Sequence, residues 1–348
     1  MKAMVRFYLR TINYRGRNPV YLLLQVLLYL LSGVYFVFLR MKRAYARRRK
    51  IKIDIPVISV GNITWGGTGK TPLVIYLVHI FKQRGKNISV IHHGQRFGDE
   101  PELLHRKLPP VEILHSASKK KLLLGLKNRK DVNIVVIDDG FQNWDIHRDL
   151  DILVLDSGAP FGNGYLIPRG NLREEPASIN RADLIVVNKI TPQSNLDALE
   201  KRIARYNFSG DIVYTCYEIE KIRKMGGGKV LPSFLSERKV ALVAGIGHPE
   251  YFSYLIQNTG AEIIQRFFYP DHYVYTRQDL QTIEDKLDNK VEVILITEKD
   301  EVKFKKIFSE SQSIISLPLY VVEVGLRFVK NEQALHRRLD ILLGGSGI

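Results

Sequence analysis

The chain has 348 residues, of which 45% are hydrophobic, enough to fold as two ordinary domains or as one domain with extensions. Its single cysteine, Cys216, excludes an internal disulfide framework and a metal site built from several cysteines. The net charge is +16, but residues 1–53 hold thirteen basic residues and no acidic one, so the remainder is nearly neutral. This distribution argues against a nucleic-acid enzyme, whose body would carry the basic surface.

The N-terminal region combines an apolar segment with a basic flank. Residues 18–39 contain no charge, and a helix over positions 20–39 would be about 30 Å long, which matches the core of a bilayer. Eight basic residues between positions 40 and 52 favour an anionic lipid surface as partner and a cytoplasmic body. A signal peptide and a buried core helix are the alternatives. We predict a membrane anchor within residues 1–53, either spanning the bilayer or lying in its interface.

The rest of the chain predicts an α/β fold with a parallel sheet and helices on both faces, because short apolar runs alternate with helical stretches. In the first half, strands are expected at residues 55–60, 88–92, 133–137, 152–155 and 184–187. In the second half, they are expected at residues 240–244, 262–267, 293–297 and 319–322. A glycine run at residues 226–228 predicts a turn or hinge between the halves.

The strongest motif is VGNITWGGTGKT at residues 60–71, which follows a predicted strand and opens a predicted helix at residues 72–84. In such a P-loop, backbone N–H groups surround phosphate oxygens, and the helix N-terminus adds partial positive charge. Lys70 is expected to reach the β- and γ-phosphates of ATP, and the hydroxyl of Thr71 to ligate Mg²⁺. The predicted nucleotide-binding residues are Thr64, Trp65, Gly66, Gly67, Thr68, Gly69, Lys70 and Thr71.

Three further segments give weaker signals. Asp138 and Asp139 end a predicted strand, where a P-loop fold commonly has a carboxylate that holds Mg²⁺ or its water; an Asp-Gly turn is the alternative. Asp99 and Glu100 offer carboxylates for a general base, but GDEP alone is typical of an ordinary turn. The loop at residues 161–174 contains glycines and two arginines, which suit an anionic amphiphile or a plain connection equally well.

In combination and in this order, these segments resemble one family, the tetraacyldisaccharide 4'-kinases of lipid A biosynthesis. The resemblance covers most of the chain and rests on the basic-flanked apolar helix and on GNITWGGTGKTP, GDEP, DDGFQ, FGNGYLIPRGNLREE, AGIGHP, PDHY and TEKD. It implies transfer of the γ-phosphate of ATP, with Mg²⁺, to the 4'-hydroxyl of an acylated disaccharide 1-phosphate at the cytoplasmic face of a Gram-negative inner membrane. The implied fold is a P-loop kinase domain, residues 54–220, hinged to a smaller C-terminal α/β domain, residues 221–348.

The resemblance also implies roles for single residues. Asp99 would be the base, assisted by His272, and Lys70, Asp138 and Asp139 would complete the catalytic group. The implied Mg²⁺ ligands are Thr71, Glu100, Asp138 and Gln142. The implied lipid-binding residues are Asn163, Arg169 and Arg173.

One segment departs from the family pattern. His92 and His93 stand where the family has a Ser-Arg pair, and the stretch up to Gly98 is shortened, which bears on how the sugar or its phosphate is held. Two other classes of protein stay open. One is a membrane-attached P-loop ATPase or GTPase switch with a protein partner; the other is a soluble small-molecule kinase whose N-terminal helix belongs to its core. For the lipid kinase itself we expect no nucleic acid and no obligate protein partner.

Overall fold

A computed structural model describes residues 7–8, 10–14, 16–94, 98–309 and 314–344, so residues 95–97 of the shortened segment lie outside the described part. The strands are β1 (Val57–Gly61), β2 (Ile88–His93), β3 (Glu112–Ser116), β4 (Ile134–Asp138), β5 (Leu150–Asp156), β6 (Leu184–Asn188), β7 (Asp211–Lys224), β8 (Lys229–Val230), β9 (Lys239–Ala244), β10 (Glu262–Phe268), β11 (Val293–Thr297) and β12 (Leu319–Lys330). The helices are α1 (Pro19–Arg47), α2 (Lys70–Gln83), α3 (Asp99–Lys107), α4 (Lys119–Leu126), α5 (Leu196–Ala204), α6 (Pro249–Gln257), α7 (Arg277–Lys286), α8 (Glu298–Ser309) and α9 (Glu332–Leu342).

All twelve strands belong to one sheet, in the order β10-β9-β11-β12-β7-β6-β5-β1-β4-β2-β3, with β8 beside β7. Strands β1, β4, β5 and β6 are parallel and buried along their whole length, as expected for a sheet covered on both faces. The predicted α/β class and the predicted strands are therefore confirmed.

The sheet is mostly parallel, but β7 and β12 form a long antiparallel pair in its middle. Strand β7 also pairs in parallel with β6, so it belongs to both halves of the sheet. The second half of β7 alternates apolar with charged residues, so it lacks the continuous apolar run from which the other strands were predicted. The predicted boundary between residues 220 and 221 falls inside this strand, and the division into two domains stays a prediction.

The sheet brings the ends of its central strands to one edge. The P-loop follows β1, Asp138 ends β4, His93 ends β2, and Asn188 ends β6. In open parallel sheets, ligands bind at this carboxyl edge, where the strand order diverges. The edge therefore positions the candidate site.

Helix α1 lies against the body along one stripe and exposes its other faces. Ser32 donates to the carbonyl oxygen of Leu166 at 2.8 Å, Leu39 is buried, and Arg43 pairs with Glu174 at 2.8 Å. On the other faces large apolar side chains are exposed: Val20, Leu22, Leu23, Val26, Leu27, Leu30, Leu31, Val34, Val37, Phe38 and Met41. This helix is long and apolar enough to cross a bilayer, and its exposure contradicts the core-helix alternative.

Candidate active site

The P-loop lies between β1 and α2 and is held in shape by side chains at the carboxyl ends of β1 and β6. Asn62 donates from Nδ2 to Thr68 Oγ1 at 3.1 Å, and Asn188 donates to the carbonyl oxygen of Thr68, also at 3.1 Å. Lys189 donates to the carbonyl oxygen of Gly67 at 2.6 Å. Because these donors fix the carbonyl groups of the loop, its backbone N–H groups are oriented in advance for phosphate oxygens.

Gly69 is the position where the P-loop requires glycine. Its φ is +99°, and a Cβ there would lie 2.0 Å from Nδ2 of Asn188 and 2.2 Å from the hydroxyl of Tyr217. Helix α2 begins at Lys70, and no side chain caps its first turn. Its first N–H groups are therefore not used by a capping side chain, as the predicted phosphate site requires.

The other predicted P-loop residues divide into buried and exposed positions. Thr64 and Thr71 are buried, whereas the side chain of Trp65 is 68% exposed. Thr64 forms an isolated antiparallel bridge with Leu172, so the loop at residues 161–174 lies against the P-loop.

Asp139 pairs with two cationic side chains beside the P-loop. Its Oδ1 lies 3.5 Å from Nζ of Lys70, and it accepts from both arms of the Arg173 guanidinium, at 2.8 and 3.1 Å. Burial alone would raise the pKa of Asp139, but Lys70 and Arg173 outweigh it and lower that pKa below its usual value. Arg173, predicted to contact the lipid, is thus bound to Asp139 beside the P-loop.

Asp138 is more deeply buried than Asp139 and contacts a different side chain. Its Oδ2 lies 3.0 Å from Nδ1 of His92, while its Oδ1 is buried without a hydrogen-bond partner among the described residues. Lys119 donates to the carbonyl oxygens of Asp138 and Asp139, at 2.7 Å each, and so fixes the backbone of the pair. His92, at the departure from the family pattern, is therefore a direct partner of the acidic pair.

Asp99 begins α3 and meets His272, which lies 173 positions later in the chain. Nδ1 of His272 is 3.2 and 3.3 Å from the two oxygens of Asp99. Burial alone would raise the pKa of Asp99, but His272, Lys299 and Lys303 lower it well below its usual value. In turn, the hydrogen bond between His272 and Asp99 raises the pKa of His272. The sequence-predicted pair is thus brought together.

Helix α3 is attached to the second half of the sheet by ion pairs. Lys299 lies 2.5 Å from Oε1 of Glu100, and Lys303 lies 3.5 Å from Asp99. At the other end of α3, Arg106 pairs with Glu298 at 3.1 Å and also with Glu301. The TEKD segment therefore contacts the site through the side chains of α3. One of these contacts binds the carboxylate of Glu100, a predicted Mg²⁺ ligand, to Lys299.

The AGIGHP segment reaches the P-loop from the same side. A Cβ at Gly247 would lie 2.8 Å from the backbone nitrogen of Gly67, so the two loops approach closely. Asp300 accepts from the backbone N–H of Gly245 at 3.1 Å and from the hydroxyl of Tyr275 at 3.1 Å. The TEKD segment thus also fixes the loop that approaches the P-loop.

Gln142 lies between the P-loop and a buried acid. Its Nε2 donates to the carbonyl oxygen of Asn62 at 2.9 Å and to Glu174 at 3.0 Å. Its Oε1 is buried without a hydrogen-bond partner among the described residues. Glu174 itself pairs with Arg43 of helix α1 and with Arg181.

Asn163 and Arg169 lie away from this centre, in a cavity of about 710 Å³ between the loop after β5, residues 12–14 and the end of α5. Asn163 donates to the carbonyl oxygen of Arg169 at 3.3 Å, and Arg169 donates to the carbonyl oxygen of Ile12 at 2.8 Å. The three predicted lipid-binding residues therefore occupy two places, because Arg173 lies at the phosphate site.

Comparison with known proteins identifies the family. The family model described as Tetraacyldisaccharide-1-P 4'-kinase matches residues 24–96 and 91–343. The tetraacyldisaccharide 4'-kinase of Bdellovibrio bacteriovorus is 31% identical over 297 residues, which is 79% of this chain and 87% of that protein. The enzyme of the same name from Syntrophus aciditrophicus is 30% identical over 95% of this chain and 96% of its own length.

The chain belongs to the tetraacyldisaccharide 4'-kinase family.

A solved structure agrees with this assignment. LpxK from Aquifex aeolicus, determined in complex with ATP, is 25% identical to the kinase and superimposes with a TM-score of 0.67 over 92% of this chain and 99% of that one. The protein is therefore an ATP-binding kinase of lipid A biosynthesis. The switch and the soluble small-molecule kinase are no longer needed as alternatives.

Several residues of the kinase site were missed by sequence reasoning. Asn188 and Lys189 had a usable signal, because polar residues at the end of a buried strand commonly line such a site. Lys119 lies in a run of three lysines, and Lys299 lies in the TEKD segment, but neither pattern indicates which residues these lysines contact, because the contacts are distant in sequence.

Proposed function

We propose that this kinase transfers the γ-phosphate of ATP to the 4'-hydroxyl of a tetraacyl disaccharide 1-phosphate, with Asp99 as the proton acceptor. One observation carries the residue assignment: Asp99 and His272, from opposite halves of the sheet, lie 3.2 Å apart. A hydroxyl nucleophile needs such a carboxylate, and an imidazole orients it. The partly exposed imidazole leaves the pair accessible to an acceptor.

In this mechanism the acceptor oxygen attacks phosphorus in line with the leaving group. The O–H proton passes to Asp99, a new O–P bond forms, and the bond between the γ-phosphorus and its bridging oxygen breaks to release ADP. Lys70 and the N–H groups of the P-loop bind phosphate oxygens and stabilise their developing charge. The lowered pKa of Asp99 is compatible with this role, because a loose transition state needs the acceptor proton removed only late.

The residues of the site fit Mg²⁺. Asp138 Oδ1 is a buried carboxylate oxygen without a protein partner, and Thr71 stands in the position whose hydroxyl binds the metal in P-loop enzymes. No group of three or more His, Cys, Asp or Glu side chains suited to a metal occurs among the described residues. In nucleotide sites Mg²⁺ is usually held by one or two protein ligands and by the phosphates, whose charge it would neutralise here. Gln142 is a further candidate, because its Oε1 is also buried without a partner among the described residues. Glu100 is a secondary candidate, because it is already paired with Lys299.

The kinase would act at a membrane surface, with α1 lying in the interface. The docked stripe of α1 runs from Ser32 to Arg43, about 17 Å of helix, and places this half of α1 beside the polar body. The exposed apolar side chains on its other faces would enter the lipid, next to the basic residues at its C-terminal end. We propose that the body lies on the cytoplasmic side of the inner membrane of a Gram-negative bacterium.

The test is transfer of label from [γ-³²P]ATP to a tetraacyl disaccharide 1-phosphate in neutral detergent micelles. Asp99→Asn should lower kcat by about 10²- to 10⁴-fold, the usual contribution of a general base. Asp285→Asn, an exposed aspartate on α7, is the matched control and should keep kcat. Absence of transfer by the unaltered protein would contradict the acceptor, whereas full activity of Asp99→Asn would contradict only the base.

A further inference from the structure

The cavity beside the loop after β5 has an unusual lining. It has a volume of about 710 Å³, and its walls include three arginines and no acidic residue. Arg169 comes from the loop, and Arg202 and Arg205 come from the end of α5. Aromatic side chains also line the cavity, among them Phe161 and Tyr206. Such walls combine positive charge with flat apolar surface.

The three guanidinium groups are available for a ligand. Arg169 uses one of its five N–H donors on the carbonyl oxygen of Ile12 and stacks over Tyr165 at 4.5 Å. Arg202 lies 5.8 Å from the ring of Phe161. Within the described part of the chain, no carboxylate pairs with Arg169, Arg202 or Arg205. Three unneutralised cations around one cavity repel each other and favour an anion between them.

The cavity lies next to the part of α1 that exposes apolar side chains. Ser32 of α1 donates to the carbonyl oxygen of Leu166 in the cavity loop, and the ring of Tyr29 meets that of Tyr165 edge to face at 6.1 Å. Leu30 lies between them on the helix and is 61% exposed. Tyrosine side chains are enriched at the interface between lipid and water, where headgroup phosphates lie.

The cavity is separate from the phosphate site for ATP, although one loop connects them. Arg173, near one end of that loop, is bound to Asp139, while Arg169 lies in the cavity wall. Between them Ile167 donates to the carbonyl oxygen of Leu172 at 3.0 Å and closes the loop on itself. An anion in the cavity would therefore be a second anion, bound beside the membrane helix.

We propose that Arg169, Arg202 and Arg205 form a binding pocket for the phosphate group of a membrane amphiphile. Guanidinium groups bind phosphate oxygens through paired hydrogen bonds, and the adjacent apolar face of α1 would take the acyl chains. Two lipids could supply this phosphate: the acceptor, through its own 1-phosphate, or an anionic phospholipid of the surrounding bilayer. Only the first source depends on the proposed function.

The variant Arg202→Gln/Arg205→Gln tests the pocket without touching the nucleotide site. Its matched control is Lys201→Gln/Lys286→Gln, which removes the same charge from exposed positions outside the cavity. The first measurement is the KM for the acceptor in neutral detergent micelles. The second is binding of the protein to phosphatidylglycerol and to phosphatidylcholine vesicles, without acceptor or ATP. Circular dichroism confirms that both variants are folded.

If the acceptor supplies the phosphate, the arginine variant should raise the acceptor KM about tenfold with kcat changed less than twofold. If the bilayer supplies it, the variant should weaken binding to phosphatidylglycerol vesicles about tenfold and leave binding to phosphatidylcholine unchanged. The control should change either quantity less than threefold. The proposal is overturned if the arginine variant equals the control in both measurements. The vesicle measurement stays decisive even if no lipid is phosphorylated.

Discussion

The two sides of the active site are organised in different ways. On the nucleotide side, Asn62, Asn188 and Lys189 hold the P-loop, and all three belong to the half of the sheet that contains it. On the acceptor side, Asp99 contacts His272 and Lys303, which come from the other half. The nucleotide site is therefore preorganised locally, whereas the position of the base depends on how closely the two halves approach each other.

The largest effect should follow from disturbing the preorganised side at Gly69. In Gly69→Ala the new methyl would overlap Nδ2 of Asn188 and the hydroxyl of Tyr217, at a backbone angle that alanine adopts only with strain. We expect ATP affinity and kcat/KM to fall by at least about 10²-fold, because a misplacement of 1 Å costs that much. ATP binding by isothermal titration calorimetry and steady-state kinetics measure the two quantities.

Gly85→Ala is the matched control for this substitution. Gly85 also has a left-handed φ, +68°, but no atom lies within 4 Å of the new Cβ. It should cost about 1 kcal/mol of folding stability and leave ATP affinity unchanged. Equal loss of ATP affinity in both variants would show that backbone strain, rather than contact with Asn188, decides the effect.

A smaller effect is expected when the acceptor side loses its contact across the sheet. Lys299→Met removes the 2.5 Å contact to Glu100 and one of the charges that lower the pKa of Asp99. We expect kcat to fall about tenfold to a hundredfold while the affinity for ATP changes little, because the P-loop keeps its own supports. The pKa of Asp99 should rise, so the loss of activity on the acidic side should begin at a higher pH.

The control for Lys299→Met is Lys290→Met, an exposed lysine in the loop before β11. It should leave kcat and its pH profile unchanged. If Lys299→Met instead weakened ATP binding as strongly as Gly69→Ala, the two sides of the site would not be independent, and the comparison between them would be wrong.

The difference between the locally organised nucleotide side and the acceptor side also explains what could be predicted from the sequence. The P-loop was predictable because its glycines, Lys70 and Thr71 are consecutive, and their neighbours fix their roles. The contact between Asp99 and His272 was implied only by resemblance, since 173 positions separate them. The β7–β12 pair and the Lys299–Glu100 contact were missed. No local pattern encodes a pairing whose partners lie about 100 to 200 positions apart.

Arg173 offers a third, intermediate test, because the resemblance implied that it binds the lipid, whereas in the structure it is bound to Asp139 beside the P-loop. In Arg173→Gln, Asp139 would keep Lys70 as its nearest cation, and this would hold Lys70 back from ATP. We expect the KM for ATP to rise about tenfold, while the acceptor KM changes less than threefold. If the acceptor supplies the phosphate that Arg169 binds, Arg169→Gln should do the reverse, raising the acceptor KM and sparing the KM for ATP. The KM for ATP and the KM for the acceptor are measured for both variants in the same radiolabel assay. If both variants raised the acceptor KM equally, Arg173 would be a lipid-binding residue after all.

The smallest effect concerns the strength of the contact between Asp99 and His272. The pKa of His272 is higher in the folded protein than in the unfolded chain. The positive charge of His272 therefore stabilises the fold fully below about pH 6.5, and this stabilisation is lost as pH rises through the pKa of the folded state. The pKa of Asp99 is lowered, so its contribution is present above about pH 4 and is lost as pH falls through the folded value. The pair should therefore contribute most to stability between about pH 4 and 6.5.

A double-mutant cycle of Asp99→Asn and His272→Gln, followed by urea unfolding, isolates this coupling from every other titrating group. At pH 5.5 we expect at most about 1 kcal/mol, because the His272 side chain is 56% exposed and water screens the pair. At pH 9 the coupling should fall towards zero. A coupling that stays constant between these two pH values would mean that the halves of the sheet are held together here by hydrogen bonding without charge.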